Sequence, residues 1–335
     1  MKKKWQWKRW IILLLAGAMI LGGCAVKAEN EQEQTKVSFE NTQQAKKPPL
    51  PEKLEKNSEG IPVLKVYQTD QEEKAEMDIE TYLLGVLAGE MKNDWPIEAL
   101  KAQAILARTF VLKFCTEKES KYAGADISTD IEEAQAYDDT GINERIEQAV
   151  KETEGLVLSY EGELPYAWFH AHSGGTTALA REGLAYNKEE PGYTMITDGR
   201  DSDRAPEEAK EWRAVFTEKE VLAAAKKAGL KESLSQIDSI KTGETGKSGR
   251  AETILINGYA VSAPELRIAL GSSVMRSTLL SSLVKEDGKI IMEGKGYGHG
   301  VGMPQWGAYQ MAEEGKNAEE IVTYYFQDVT VEKMW

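Results

Sequence analysis

Apolar residues along the chain follow two periods. Ile79, Tyr82, Leu83, Val86 and Leu87 recur at i, i+3, i+4, i+7 and i+8, which predicts a helix from Asp78 to Glu90. A break at Asn93, Asp94, Trp95 and Pro96 follows, with Pro96 suited to the first turn of a second helix. That helix, over 97–115, is alanine-rich and carries Ile97, Leu100, Ala104, Ala107 and Val111 on one face. Val63, Leu64, Val66 and Tyr67 predict a first strand over 63–67. Residues 116–141 are polar and follow neither period. Further on, a helix over 142–154 leads into a strand at 156–160, a turn at Gly162 and a strand at 164–170, together a hairpin. A helix at 218–228, strands at 237–242, 251–256 and 290–293, a short helix at 263–270 and one long closing helix over 305–326 complete the pattern. There is no steady βαβ rhythm and no repeat, so the expected fold is α+β: mixed, mainly antiparallel strands around long helices, with a substrate cleft.

Within this pattern Glu90 is out of place. It extends the apolar row of the first helix, so its carboxyl points toward protein. Desolvation and the negative end of the helix dipole both disfavour the carboxylate, and a Glu protonated near neutral pH is a general acid. The plainer alternative is a helix that frays after Gly89, with Glu90 reaching out to water.

The segment before residue 60 changes character. Residues 26–60 are rich in Glu, Gln, Lys, Asn and Pro and read as a flexible tether. Ahead of it, a basic start through Trp10, an apolar run over 11–23 and the small residues before Cys24 form a bacterial lipoprotein-type signal. The run is shorter than the about 20 residues of a comfortable membrane span. Lipidation at Cys24 would anchor the chain outside the membrane; an uncleaved signal anchor is the alternative, with the same side exposed. The expected division is therefore signal over 1–24, tether over 25–60 and one domain over 61–335.

Composition mostly excludes. The formal charge is −14 and no basic cluster lies beyond the signal, which argues against a nucleic-acid partner but not against a polysaccharide. Cys115 is the one cysteine besides Cys24, so the domain has no internal disulfide, and Cys115 reads as a small buried hydrophobe. Residues 241–248 mimic a phosphate-binding loop, but Lys241 stands where the first glycine is required, and Gly249 and a strand follow Ser248 in place of a helix.

Two stretches carry candidate chemistry. Phe169, His170, Ala171, His172, Ser173, Gly174 and Gly175 join a strand to a glycine turn; the two His at i, i+2, with His299, form either a metal site or a polar cleft wall. The densest glycine stretch, 294–308, interleaves Tyr297, His299, Gln305 and Trp306, the aromatic faces and donors a saccharide site uses.

Three colinear segments, residues 82–91, 95–109 and 296–308, together resemble the stage II sporulation protein D family, which includes amidase-enhancer proteins. His170 with the Ser173–Gly175 turn, Glu265 to Arg267, and Tyr324 to Phe326 agree with it. The resemblance runs from Ile61 to the C-terminus. It implies lytic cleavage of peptide-stripped peptidoglycan glycan strands during sporulation engulfment, with Glu90 in the catalytic position and Lys101, Arg108, His170 and Ser173 at cleft positions. No cofactor follows: the family's occasional zinc is held by His and Cys after the equivalent of His170, and residues 171–181 contain no Cys. The partners implied are glycan strands, a cell-wall amidase and membrane proteins, with the membrane reached through an N-terminal lipid or signal anchor. A non-catalytic module that stimulates a wall amidase is the rival reading. Ordinary hydrolysis is a third, and needs a second acid, for which Asp198 and Asp201 are the candidates.

Overall fold

The computed structural model describes residues 46–335. The signal, Cys24 and the tether up to residue 45 lie outside the described residues. Residues 46–60, read as tether from their composition, lie against the body: Pro48 and Pro51 are buried, Leu50 and Leu54 pack on the core, and Lys56 bridges to Pro62. A few Pro and Leu contacts seat this segment without the apolar density that composition detects.

β1 (Val63–Gln68) buries Leu64 and Val66 and pairs antiparallel with β2 (Glu73–Asp78), Val63 opposite Asp78. The charged, largely exposed β2 has no apolar alternation, which is why its sequence does not announce it. Asp78 then caps α1 (Ile79–Glu90), its Oδ1 accepting the Thr81 N–H at 2.9 Å. α2 (Ile97–Glu117) starts after Pro96, which occupies the cap position instead of the first turn. β3 (Ile127–Ser128) adds parallel to β1, and the hydroxyl of Tyr82 donates to Ser128 O at 2.9 Å, tying α1 to this sheet. α3 (Glu144–Glu152), capped by Asn143, precedes β4 (Leu156–Tyr160) and β5 (Phe169–His170).

The expected hairpin after Leu156 does not form beyond a Tyr160–Glu163 bridge. Pro165 cannot donate to a ladder, and the Tyr166 N–H goes to the Tyr193 hydroxyl at 2.9 Å. Both strands find distant partners instead. α4 (Ala180–Leu184) packs with Ala178 and Val301 in a small separate cluster, and α5 (Glu207–Lys210) leads into β6 (Glu211–Thr217). With β6, the elements α6 (Glu218–Lys227), β7 (Ile240–Thr242), β8 (Thr253–Ile256), β9 (Tyr259–Ser262), α7 (Ala263–Leu270), β10 (Leu280–Glu286) and β11 (Lys289–Lys295) build a second apolar cluster around Trp212, Phe216, Val221, Ile254 and Met292. The segment that mimicked a phosphate loop is the β7–β8 connection. β12 (Met303–Pro304) pairs parallel with β5 and leads into α8 (Gln305–Glu313), α9 (Ala318–Tyr325) and β13 (Val329–Lys333), which closes antiparallel on β4. The single closing helix is thus two: Gly315, at φ +85°, leaves the helical region, and Asn317 caps α9 reciprocally with Glu320.

All pairings among the described strands are antiparallel except β1 with β3 and β5 with β12. The fold is α+β. The larger core gathers β1, α1, α2, α8 and α9, with Tyr82, Leu83, Val86 and Leu87 fully enclosed. Among the described residues no helix is long and apolar enough to cross a membrane.

Candidate active site around Glu90

The buried row of α1 delivers Glu90, the last residue of the helix, to a junction of three elements. Its Oε1 accepts the main-chain N–H of Ala136, in the loop between β3 and α3, at 2.7 Å. From the start of α8, Gln305 Nε2 donates to the Glu90 main-chain oxygen at 3.0 Å and faces Oε2 at 3.4 Å. The residue keeps partial access to solvent, but protein atoms crowd its carboxyl, and this desolvation raises its pKa to about 7 against the opposing pull of the two hydrogen bonds. Both donors are N–H groups, so each carboxyl oxygen faces a donor; Oε1 carries the short bond and Oε2 the longer contact, which leaves Oε2 the less tightly held of the two.

Gln305, expected to bind saccharide, is placed where it braces the acid. Trp306 beside it is 9% exposed and packs on Trp95 at 4.5 Å and Tyr309 at 5.3 Å between ring centres, which leaves little ring face for a sugar.

The β5–β12 pairing sets Pro304 beside His170, one residue from Gln305. His170 is buried, with Nδ1 3.2 Å from Val301 O and Nε2 without a partner among the described residues. The His299 ring lies 5.5 Å away, its Nδ1 accepting the Val301 N–H at 3.0 Å. Burial, followed by neighbouring cationic groups, holds both imidazoles neutral: His170 falls well below the usual range and His299 to about 3. His172 lies 3.4 Å from Asp201 and accepts the Gly174 N–H at 3.0 Å. Among the described residues no three His, Cys, Asp or Glu side chains are placed to hold a metal.

Ser173 is fully buried and structural in its contacts. Asp201 accepts its N–H at 3.0 Å and its hydroxyl, and Arg250 donates to its carbonyl at 2.6 Å and to Thr176 O at 3.0 Å. Tyr297 exchanges main-chain bonds with His172 at 3.0 and 2.8 Å, and the Arg276 guanidinium lies 5.0 Å over its ring. The glycine density has a steric cause: a Cβ at Gly298, where φ is +117°, would stand 2.5 Å from the His170 Cβ. Asp198 and Asp201, the candidate second acids, are committed elsewhere, Asp198 to the Arg200 N–H at 2.9 Å and Asp201 to Ser173. Neither bonds to the Glu90 carboxyl.

Arg108 requires correction as a cleft residue, and Lys101 is engaged by carboxylates of its neighbours. Arg108 is fully buried in a two-pronged pair with Glu80, at 2.9 Å and 2.5 Å, and donates to Leu156 O at 2.9 Å. It pins α1, α2 and β4 together. Lys101 bridges Glu98 at 2.8 Å and Glu152 of α3. Both border the α2 core face, as their spacing indicates, but neighbouring elements bring carboxylates to meet them. Ala136 and Arg250 went unseen in the sequence: a main-chain donor leaves no side-chain signature, and an isolated Arg in a strand-rich stretch has no pattern.

A single raised-pKa carboxyl at a helix end, fixed by one loop amide and one Gln, defines an α+β domain with a one-acid site. Residues 67–160 match the family model described as stage II sporulation protein, and 163–302 match a domain of unknown function. The chain is 30% identical over 284 residues to stage II sporulation protein D of Bacillus amyloliquefaciens, covering 79% of this chain and 77% of that one. With stage II sporulation protein D of Bacillus subtilis it is 29% identical over 324 residues, 92% of this chain and 87% of that protein. It also resembles the amidase enhancer of Bacillus subtilis, at 29% over 291 residues, 74% of this chain but 40% of that longer protein. The chain belongs to the stage II sporulation protein D family.

Proposed function

We propose that this protein is a lytic transglycosylase that cuts peptide-stripped peptidoglycan glycan strands during sporulation engulfment. The family supports a cell-wall role connected with sporulation. The observation that carries the finer reading is the buried Glu90 carboxyl, whose pKa is raised to about 7 so that it keeps a proton near neutral pH, with Oε2 the less tightly bonded oxygen. Oε2 gives that proton to the glycosidic oxygen between N-acetylmuramic acid and N-acetylglucosamine as the bond from C1 to that oxygen breaks. The resulting carboxylate takes the proton of the muramoyl 6-hydroxyl, whose oxygen closes on C1 to form the anhydro ring. One acid suffices because the substrate supplies the nucleophile, in contrast to the usual pair of carboxylates. Acid–base action of this kind contributes about 10²–10⁴-fold. The protein works outside the membrane, held there through Cys24 or a signal anchor, beside a wall amidase that strips the strands and membrane proteins that gather the two.

Likeness to the amidase enhancer supports a second reading, a binding module that stimulates an amidase without cutting glycan. Purified protein incubated with stripped strands and no amidase separates the two: anhydro-muramic ends by mass spectrometry support the enzyme, and intact strands support the module.

A further inference from the structure

Gly85 and Gly89 stand four residues apart on α1 and leave a strip of the helix bare, and the segment 135–138 lies in it. A Cβ on Gly89 would stand 2.7 Å from Tyr137 N, 2.8 Å from Ala136 C and 2.9 Å from Tyr137 Cα; one on Gly85 would stand 2.4 Å from the Tyr137 ring. The contacts at Gly89 are main-chain, so no rotamer change relieves them. The Asp138 N–H donates to Gly85 O at 2.9 Å, and the Tyr137 ring stacks on Tyr82 at 5.6 Å. Two residues upstream of Asp138 is the amide that holds Glu90.

We propose that segment 135–138 is a positioning element for Glu90, admitted to α1 by Gly85 and Gly89, so that the Ala136 N–H engages Oε1 and leaves Oε2, which keeps only the longer Gln305 contact, to the reacting atoms. Its bearing on rate rests on Glu90 being the proton-transferring group; its geometry does not. Glycine is a poorer helix former than alanine, so alanine at 89 would favour the helix if the strip were empty. Among the elements packed here, α1 brings Tyr82, which senses the Glu90 charge. The segment brings Tyr137 and Asp138, the latter accepting the Thr140 N–H at 2.9 Å, and α8 brings the uncharged Gln305. The Glu90 shift arises from burial and the two hydrogen bonds, with no charged side chain contributing.

The test follows the Glu90 carboxyl carbon by NMR in the full chain, with Glu90→Gln assigning the signal. In the wild type the Ala136 amide proton should titrate with the Glu90 midpoint, near pH 7, and lose that dependence in Glu90→Gln. In Gly89→Ala and in Ala136→Pro the Glu90 midpoint should rise by roughly one unit, the worth of one hydrogen bond to the charged form. An Ala136 amide that is flat across the Glu90 titration, or a midpoint unmoved in folded variants, overturns the proposal; the wild-type amide decides the matter should a variant not fold. A coupled amide in a protein that makes no anhydro ends keeps this inference and sinks only the enzymatic reading.

Discussion

Gln305, the first residue of α8, holds Glu90, the last residue of α1, across 215 positions of sequence, donating to its main-chain oxygen at 3.0 Å and facing its carboxyl at 3.4 Å. We expect Gln305→Ala to leave the fold intact and to slow glycan cleavage about 10-fold, the worth of one hydrogen bond to a charged group. Because the Gln305 bond favours the carboxylate, the alkaline limb of the pH–rate profile should also move up. A purely structural role would lower activity without moving that limb.

Activity should depend on protonated Glu90. With a pKa near 7, the rate should hold on the acid side and fall as pH rises through 7, measured as initial release of anhydro ends between pH 5 and 9. Stability follows the same group. The folded protein keeps a proton that the unfolded chain releases at its ordinary carboxyl pKa of 4.5, so folding weakens as pH rises from 4.5 to about 7. Glu90→Gln removes this penalty, and above pH 7 it should unfold at higher denaturant than wild type, by about 1–3 kcal/mol.

Arg108 and Glu80 form a buried pair, which gives a contrast with a substrate-binding role. Arg108→Met should destabilise by about 3–5 kcal/mol by leaving the Glu80 charge unpaired, and Arg108→Met with Glu80→Gln should recover much of that loss. Urea unfolding of the three proteins measures it. A folded, fully stable Arg108→Met protein with a raised KM would return Arg108 to the cleft.

Gly298→Ala sets a Cβ against the His170 Cβ at a φ that favours glycine. We expect a loss of about 1–3 kcal/mol, seen as a lower melting temperature.

Helix period carried most of what was legible. α1, α6 and α7 follow from apolar spacing because each turns its apolar positions to a core, and α2 from its alanine-rich run, which is buried on every side over 102–109. β2 and β6 did not: β2 is mostly exposed, and β6 alternates Trp212, Ala214 and Phe216 with exposed residues but opens among charged neighbours. Glu90 was legible because an acid in an apolar row is a local conflict. Its holders were not legible as such: Ala136 acts through its backbone, and Gln305, singled out as a saccharide donor, reaches Glu90 by the β5–β12 pairing, a non-local event. The same limit misplaced Arg108 and hid the partner of Lys101, since Glu80 and Glu152 meet them only in the folded chain.

The most direct test digests peptide-stripped and intact peptidoglycan with wild type and Glu90→Gln, without amidase, and counts anhydro-muramic ends by mass spectrometry. The account predicts anhydro ends from stripped strands with wild type and a loss of at least about 10²-fold in Glu90→Gln. Anhydro ends released equally by Glu90→Gln, or reducing muramic ends in their place, would contradict it.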